Sequence, residues 1–160
     1  MSKNNSGQTL LEMVMALAVV GIVLVALVSL STRSLGNTTF SANKSRATRL
    51  TQEASEWIRA QRDADWANLS GRVTAGGEQV YCLPNLVWPG GTGACDPNTQ
   101  KVKDNSNDDT EFVREVTLRG MDTDGAPGLD TVSVGVVTYW FDGVGTREAR
   151  TTTLLSNWKN

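Results

Sequence analysis

Leu10 to Leu30 reads LLEMVMALAVVGIVLVALVSL, a run of twenty-one residues whose single charge is Glu12. As a helix it would be roughly 31 Å long at 1.5 Å per residue, enough to cross the hydrocarbon core of a bilayer. An acidic residue at mid-membrane costs about 2.5 to 3.5 kcal/mol, and less near the end of a span, where Glu12 lies. The thirteen Leu, Ile and Val residues of the run together contribute roughly -4 to -8 kcal/mol. Insertion therefore wins. The preceding MSKNNSGQT is polar and holds Lys3, with no acid before Glu12, which favours a cytoplasmic N-terminus. A secretory signal peptide has a shorter apolar region and ends at an A-x-A-like site. This run ends in VSLSTRSLG, a poor match. A plain signal anchor accounts for the span but gives no reason to keep Glu12 inside it.

The stretch Ser6-Gly7-Gln8-Thr9-Leu10-Leu11-Glu12 resembles the cleavage motif of type IV prepilins and pseudopilins. In that family a short basic leader ends in Gly, and a prepilin peptidase cuts on its cytoplasmic side. The new N-terminal residue is N-methylated, and the fifth mature residue is Glu. Counted from Gln8, the fifth residue is Glu12. The resemblance implies cleavage between Gly7 and Gln8, N-methylation of Gln8, and a role for Glu12 in filament register. A carboxylate in lipid is unfavourable without a partner. Cleavage creates one, the α-amino group of Gln8 on a neighbouring subunit. Two departures stand out. The family usually has Phe where this chain has Gln8, and many major pilins carry a proline in the span, where this one has none. Gly21 is its only weak helix point, at about 1 kcal/mol relative to Ala.

Beyond Leu30 the pattern becomes amphipathic. Phe40, Ala47, Leu50, Ala54, Trp57 and Ile58 form one apolar stripe at helical spacing, opposite Lys44, Arg46, Arg49, Glu53 and Arg59. Glu56 with Arg59, and Arg59 with Asp63, are spaced for helix pairs. Asn68, Ser70 and Gly71 end the pattern. The stripe reads as core that lies on a sheet. Arg33, Lys44, Arg46 and Arg49 occur with no acid among them. A solvated or headgroup-facing side is favoured there over a DNA-contacting patch.

The chain of 160 residues has no histidine and a formal net charge of -2. The missing histidine excludes a histidine-dependent hydrolase, and the charge does not suit non-specific nucleic-acid binding. No catalytic constellation is visible, so the chain reads as a non-enzyme. Cys82 and Cys95 without histidine cannot close a structural zinc site, and an isolated pair in an exported domain reads as a disulfide. Such a bridge would stabilise by about 3 kcal/mol.

Gly71 to Thr110 is rich in Gly, Pro, Asn and Asp and shows no sustained period. Three strand-like runs follow. EFVREVTLRG places Phe112, Val116 and Leu118 on one face, DTVSVGVVTYWFDG is β-branched and aromatic, and TREARTTTLLSNW closes the chain. Asp142-Gly143 signals a tight hairpin turn. Asp122, Asp124 and Asp130 are candidate calcium ligands, but they lack the third early ligand and final Glu of an EF-hand loop. A plain turn is favoured and no cofactor is required.

The expected fold is α+β: a long N-terminal helix, membrane-spanning in its first half, packed on a C-terminal antiparallel sheet of about three strands or more. Its expected divisions are a leader (1–7), a membrane and filament half of the helix (8–35), an amphipathic half (36–69), a disulfide-bearing loop (70–110) and the sheet (111–160), with 36–160 as a globular headgroup. The resemblance implies a structural subunit of a type IV pilus or similar filament. Its partners would be copies of itself, other pilins, the prepilin peptidase, the pilus assembly platform and the membrane. It would lie in the cytoplasmic membrane as precursor and outside it, in a filament, when assembled. The alternatives are a pseudopilin of a type II secretion or DNA-uptake machine and, in another class, a monomeric anchored adhesin or receptor.

Overall fold

The computed structural model describes residues 6–104, 106–122 and 128–157, with side chains from Leu10 onward. The elements are α1 (Ser6–Ala64), α2 (Trp66–Ser70), β1 (Glu78–Cys82), β2 (Val113–Met121), β3 (Thr131–Phe141) and β4 (Thr146–Ser156). They fall into two compact units, Met1–Ala42 and Asn43–Asn160. The described part of the first unit is helix throughout. The second holds the remainder of α1, the short helix and the sheet.

The sheet is an antiparallel meander in the order β1-β2-β3-β4. Along β3 buried and half-buried residues alternate strictly, Val132, Val134, Val136, Thr138 and Trp140 facing inward. That is the period of a sheet with one face on a core. The register carries this face across the neighbouring strands: Tyr81 opposes Val116, and Val116 opposes Val136. Helix α1 meets it through Ala47, Thr51, Ala54, Ser55 and Ile58, spaced to share one side of a helix. Ala54 and Ile58 join Val116, Leu118, Val132, Val134, Val136 and Leu155 in the main core. Ala47, Val102, Phe112, Trp140 and Ala149 form a second cluster, with the Phe112 and Trp140 rings edge to face at 5.9 Å.

Of the expected stripe, Ala47, Ala54 and Ile58 are its centre, while Leu50 and Trp57 are partly buried flanks. Phe40 is 43% exposed and belongs to the first unit. The stripe also contains two polar residues, Thr51 and Ser55. Thr51 Oγ1 lies 2.8 Å from the Ala47 carbonyl and 2.9 Å from Thr138 Oγ1. Small side chains with local hydrogen bonds let helix and sheet approach without stranding a polar group. Of the expected helix pairs, Arg59 meets Glu56 at 2.6 Å. Asp63 pairs with Arg62 at 2.8 Å.

The structure differs from the sequence expectation at three places. The helical stretch breaks at Asp65, whose backbone is extended (φ -154°) and whose side-chain Oδ1 caps α2 by accepting from the Asn68 N–H at 3.1 Å. The stretch read as loop contains β1, a five-residue edge strand. Its sequence, EQVYC, is too short to show a period, and pairing with β2 decides its state. The β3–β4 connection has four residues, 142–145, rather than two, with Phe141 opposite Thr146.

Gly120 is where the fold demands glycine. A Cβ there would overlap the Thr74 carbonyl oxygen and press on Leu129. The bare backbone lets residues 75–77 cross the end of β2, with the Gly76 N–H donating to Gly120 O at 3.0 Å and the Gly120 N–H donating to Gly77 O at 3.1 Å.

Candidate processing and assembly site

The N-terminal half of α1 is apolar all round. Its large hydrophobic residues from Leu10 to Leu30 are each between 50% (Val23) and 72% (Met13, Ile22) exposed. The helix holds a window of mean hydropathy 2.9, none of it buried. A helix apolar on every side is stable only when something apolar surrounds it, either lipid or other helices. By length and composition it can cross a membrane.

Glu12 sits within this surface. It is exposed, and no described residue hydrogen-bonds or pairs with it. Gly7 and Gln8 lie in the first turns of α1, one helical turn and more before Glu12. Their side chains are outside the described set, and residues 1–5 lie outside the described residues altogether. The helix thus places the expected cleavage point and the acid on one short segment. A carboxylate on an apolar helix is costly in a low-dielectric surrounding unless it reaches water or headgroups or meets a cation.

Residues 2–28 match the family model of the prokaryotic N-terminal methylation motif. This motif is the signature of type IV pilin and pseudopilin precursors. The matched span runs from the leader through Gly7, Gln8 and Glu12 and covers most of the apolar run. It supports a type IV pilin- or pseudopilin-like precursor, and with the apolar helix it fits a membrane-anchored one. No curated protein matches the chain, and no solved structure does. The motif ends within α1, so the second unit rests on its own geometry.

That unit holds the cysteine pair as a disulfide, Cys82–Cys95. It ties the end of β1 to the following loop on the outer sheet face, packed with Val113 and beside Tyr139. Glu115 organises the surroundings: its Oε1 accepts from the Cys95 N–H at 2.8 Å and from the Tyr139 hydroxyl at 3.0 Å. Burial first, then the hydrogen bond and charge of Glu115, pushes the Tyr139 hydroxyl up to about 12. An isolated cysteine pair in an expected exported domain pointed to the bridge, but Glu115 gave no signal because its role depends on cross-strand neighbours.

The other candidates are scattered. Asp124 lies outside the described residues, while Asp122 and Asp130 flank that gap. Among the described residues no group of three or more His, Cys, Asp or Glu is placed to hold a metal. Arg46 and Arg49 line a cleft with Lys103, Asp104, Asp109 and Glu111. Its charge is mixed, and Lys103 is already paired with Asp109 at 2.8 Å, so it does not form the basic stripe that a nucleic acid needs.

Proposed function

We propose that this chain is a filament subunit of the type IV pilin class, made as a membrane-inserted precursor. A prepilin peptidase cuts it between Gly7 and Gln8, and Gln8 becomes the N-methylated terminus. The subunit then polymerises through the apolar half of α1. One observation carries the reading: Glu12 is an exposed acid without a partner among the described residues, on an all-apolar stretch of helix inside a segment that matches the methylation motif. Cleavage supplies the α-amino group that the acid needs. The two charges are tolerated together in low dielectric and costly apart, so the pair fixes register more than it adds net stability. Helix packing supplies most of the cohesion.

Intact-mass measurement of the mature protein tests the processing. It should lack residues 1–7 and carry a methyl group on Gln8. Glu12→Ala should leave insertion and processing intact and reduce assembled filaments at least tenfold. A normal filament yield from that variant would sink the role of Glu12. A pseudopilin shares the same motif, and electron microscopy separates the two, since a pilin gives long surface filaments. A monomeric anchored adhesin would tolerate Glu12→Ala without any change in oligomeric state.

A further inference from the structure

The turn between β3 and β4 is a rigid apolar tip. Asp142 Oδ1 accepts from the N–H groups of Val144 at 3.0 Å and Gly145 at 2.9 Å, and the Asp142 N–H donates to Gly145 O at 3.1 Å. Asp142 Oδ2 accepts from Arg147 Nε at 2.6 Å. Gly143 takes the left-handed conformation, φ 85°, that closes the turn. Around this fixed frame the chain presents Phe141, 65% exposed, and Val144, 87% exposed. Ordered turns are normally polar, so a pre-organised turn bearing two bare apolar side chains has the form of a docking element.

Its place in the second unit and its charges indicate the partner. Lys44 Nζ donates to the Glu148 carbonyl. The start of β4, and the turn before it, therefore lie at the end of the unit where α1 enters. The charged groups flanking the tip already have partners: Arg147 with Asp142, Arg150 with Glu148, and Lys44 on the main chain. The tip itself, residues 141–145, carries no cation for an anionic headgroup. What it offers is apolar surface. Among the described residues the longest run of exposed apolar side chains is Leu10–Leu35 of α1, which residues 36–43, apolar only at Phe40 and Ala42, separate from Lys44 along the sequence.

We propose that the Phe141–Val144 tip docks on the apolar segment Leu10–Leu35 of α1 in a second copy of this chain. The contact is heterologous, the tip of one copy meeting the helix of the next, so it propagates rather than closes. This rests on the filament reading above and adds a second point of attachment to it, outside the N-terminal methylation motif.

The test places a benzophenone amino acid at position 141 of the full-length chain, in cells that make and assemble it. Irradiation should give a dimer-sized product, with the crosslink mapping to residues 10–35 of the second chain. A crosslink to lipid, one to any other segment, or no chain-to-chain product in assembled material would overturn the proposal. Separately, the double substitution Phe141→Ser, Val144→Ser should lower recovered filament at least tenfold, with the membrane-inserted, disulfide-bonded pool unchanged. Leu154→Ser removes a similarly exposed apolar residue (64%) at the far end of β4 and should leave assembly at the parental level. Full assembly by the double variant, or an equal loss with Leu154→Ser, rejects the docking role. If the parent chain assembles and the crosslinks fall elsewhere, only the docking fails. If the parent chain forms no polymer at all, the filament reading fails and takes the docking with it.

Discussion

Arg114 donates from its guanidinium to the Leu50 carbonyl at 3.2 Å, a bond from the inner face of the sheet to the backbone of α1. Its Nε donates to Leu83 O at 3.1 Å, and the same group meets Glu53 at 3.2 Å. One side chain on β2 therefore holds the helix and the loop after β1. Arg114 is 2% exposed, while Glu53 is about half exposed. Burial lowers the guanidinium's affinity for its proton, and Glu53 works in the opposite direction. The carbonyls, which cannot turn to water, matter more than the ion pair.

Arg114→Ala should accordingly lose about 2 to 4 kcal/mol of stability, from the lost bonds to the Leu83 and Leu50 carbonyls and a cavity at the helix–sheet contact. Glu53→Gln should lose less than about 1 kcal/mol, because its carboxylate is screened. Urea unfolding of the detergent-solubilised chain, followed by tryptophan fluorescence, measures both. Equal losses would mean that the ion pair dominates.

Removing the disulfide by Cys82→Ala, Cys95→Ala should cost about 3 kcal/mol through the freed loop of the denatured chain. The variant's stability should be the same with and without reductant, whereas the parent should fall to the variant's level when reduced. The same urea titration, run with and without reductant, checks this.

Tyr139 predicts a pH window. Its folded value, about 12, lies above the ordinary 10.0, so the fold favours the protonated hydroxyl. Its contribution is full below pH 10 and is lost as pH rises through 12. Between those limits the parent should lose stability relative to Tyr139→Phe, which has no proton to release there. The difference between their unfolding midpoints across pH 9 to 12 should shrink toward the alkaline end.

Gly120→Ala should destabilise the second unit by about 2 kcal/mol or more, since the clash is with the backbone at Thr74 and cannot be relieved by a rotamer change. Gly21→Ala, where a Cβ meets nothing within 4 Å, should instead strengthen α1 by up to about 1 kcal/mol. Circular dichroism on thermal unfolding distinguishes the two.

The membrane-competent helix, the spacing of Gly7 to Glu12, the inward face of β2, the β-branched and aromatic run of β3 and the cysteine pair were all legible in sequence. Each is a local pattern: one period, one spacing, or one pair of sulfurs within reach. β1 was not legible, because five residues of mixed polarity become a strand only when β2 offers a ladder. The break at Asp65 was hidden inside a continuous helical pattern, since the Asx cap needs only one extended residue. Thr51 was absent from the expected stripe, and its bonds to the Thr138 hydroxyl and the Ala47 carbonyl let it sit buried in the core.

By itself the sequence determined that the chain carries an apolar helix with one acid, Glu12, at a fixed distance from Gly7 within the methylation motif. It also determined that a sheet follows, because helix length, charge spacing and strand period are set by the residues alone. The tertiary structure decided which side chains act together across the fold: Arg114 on the Leu50 carbonyl, Glu115 between Tyr139 and the disulfide loop, and Phe141 with Val144 on a turn locked by Asp142. Those relationships join residues far apart in the chain or depend on one turn's geometry. Loop closure and sheet register fix them, and neither is written in a local pattern.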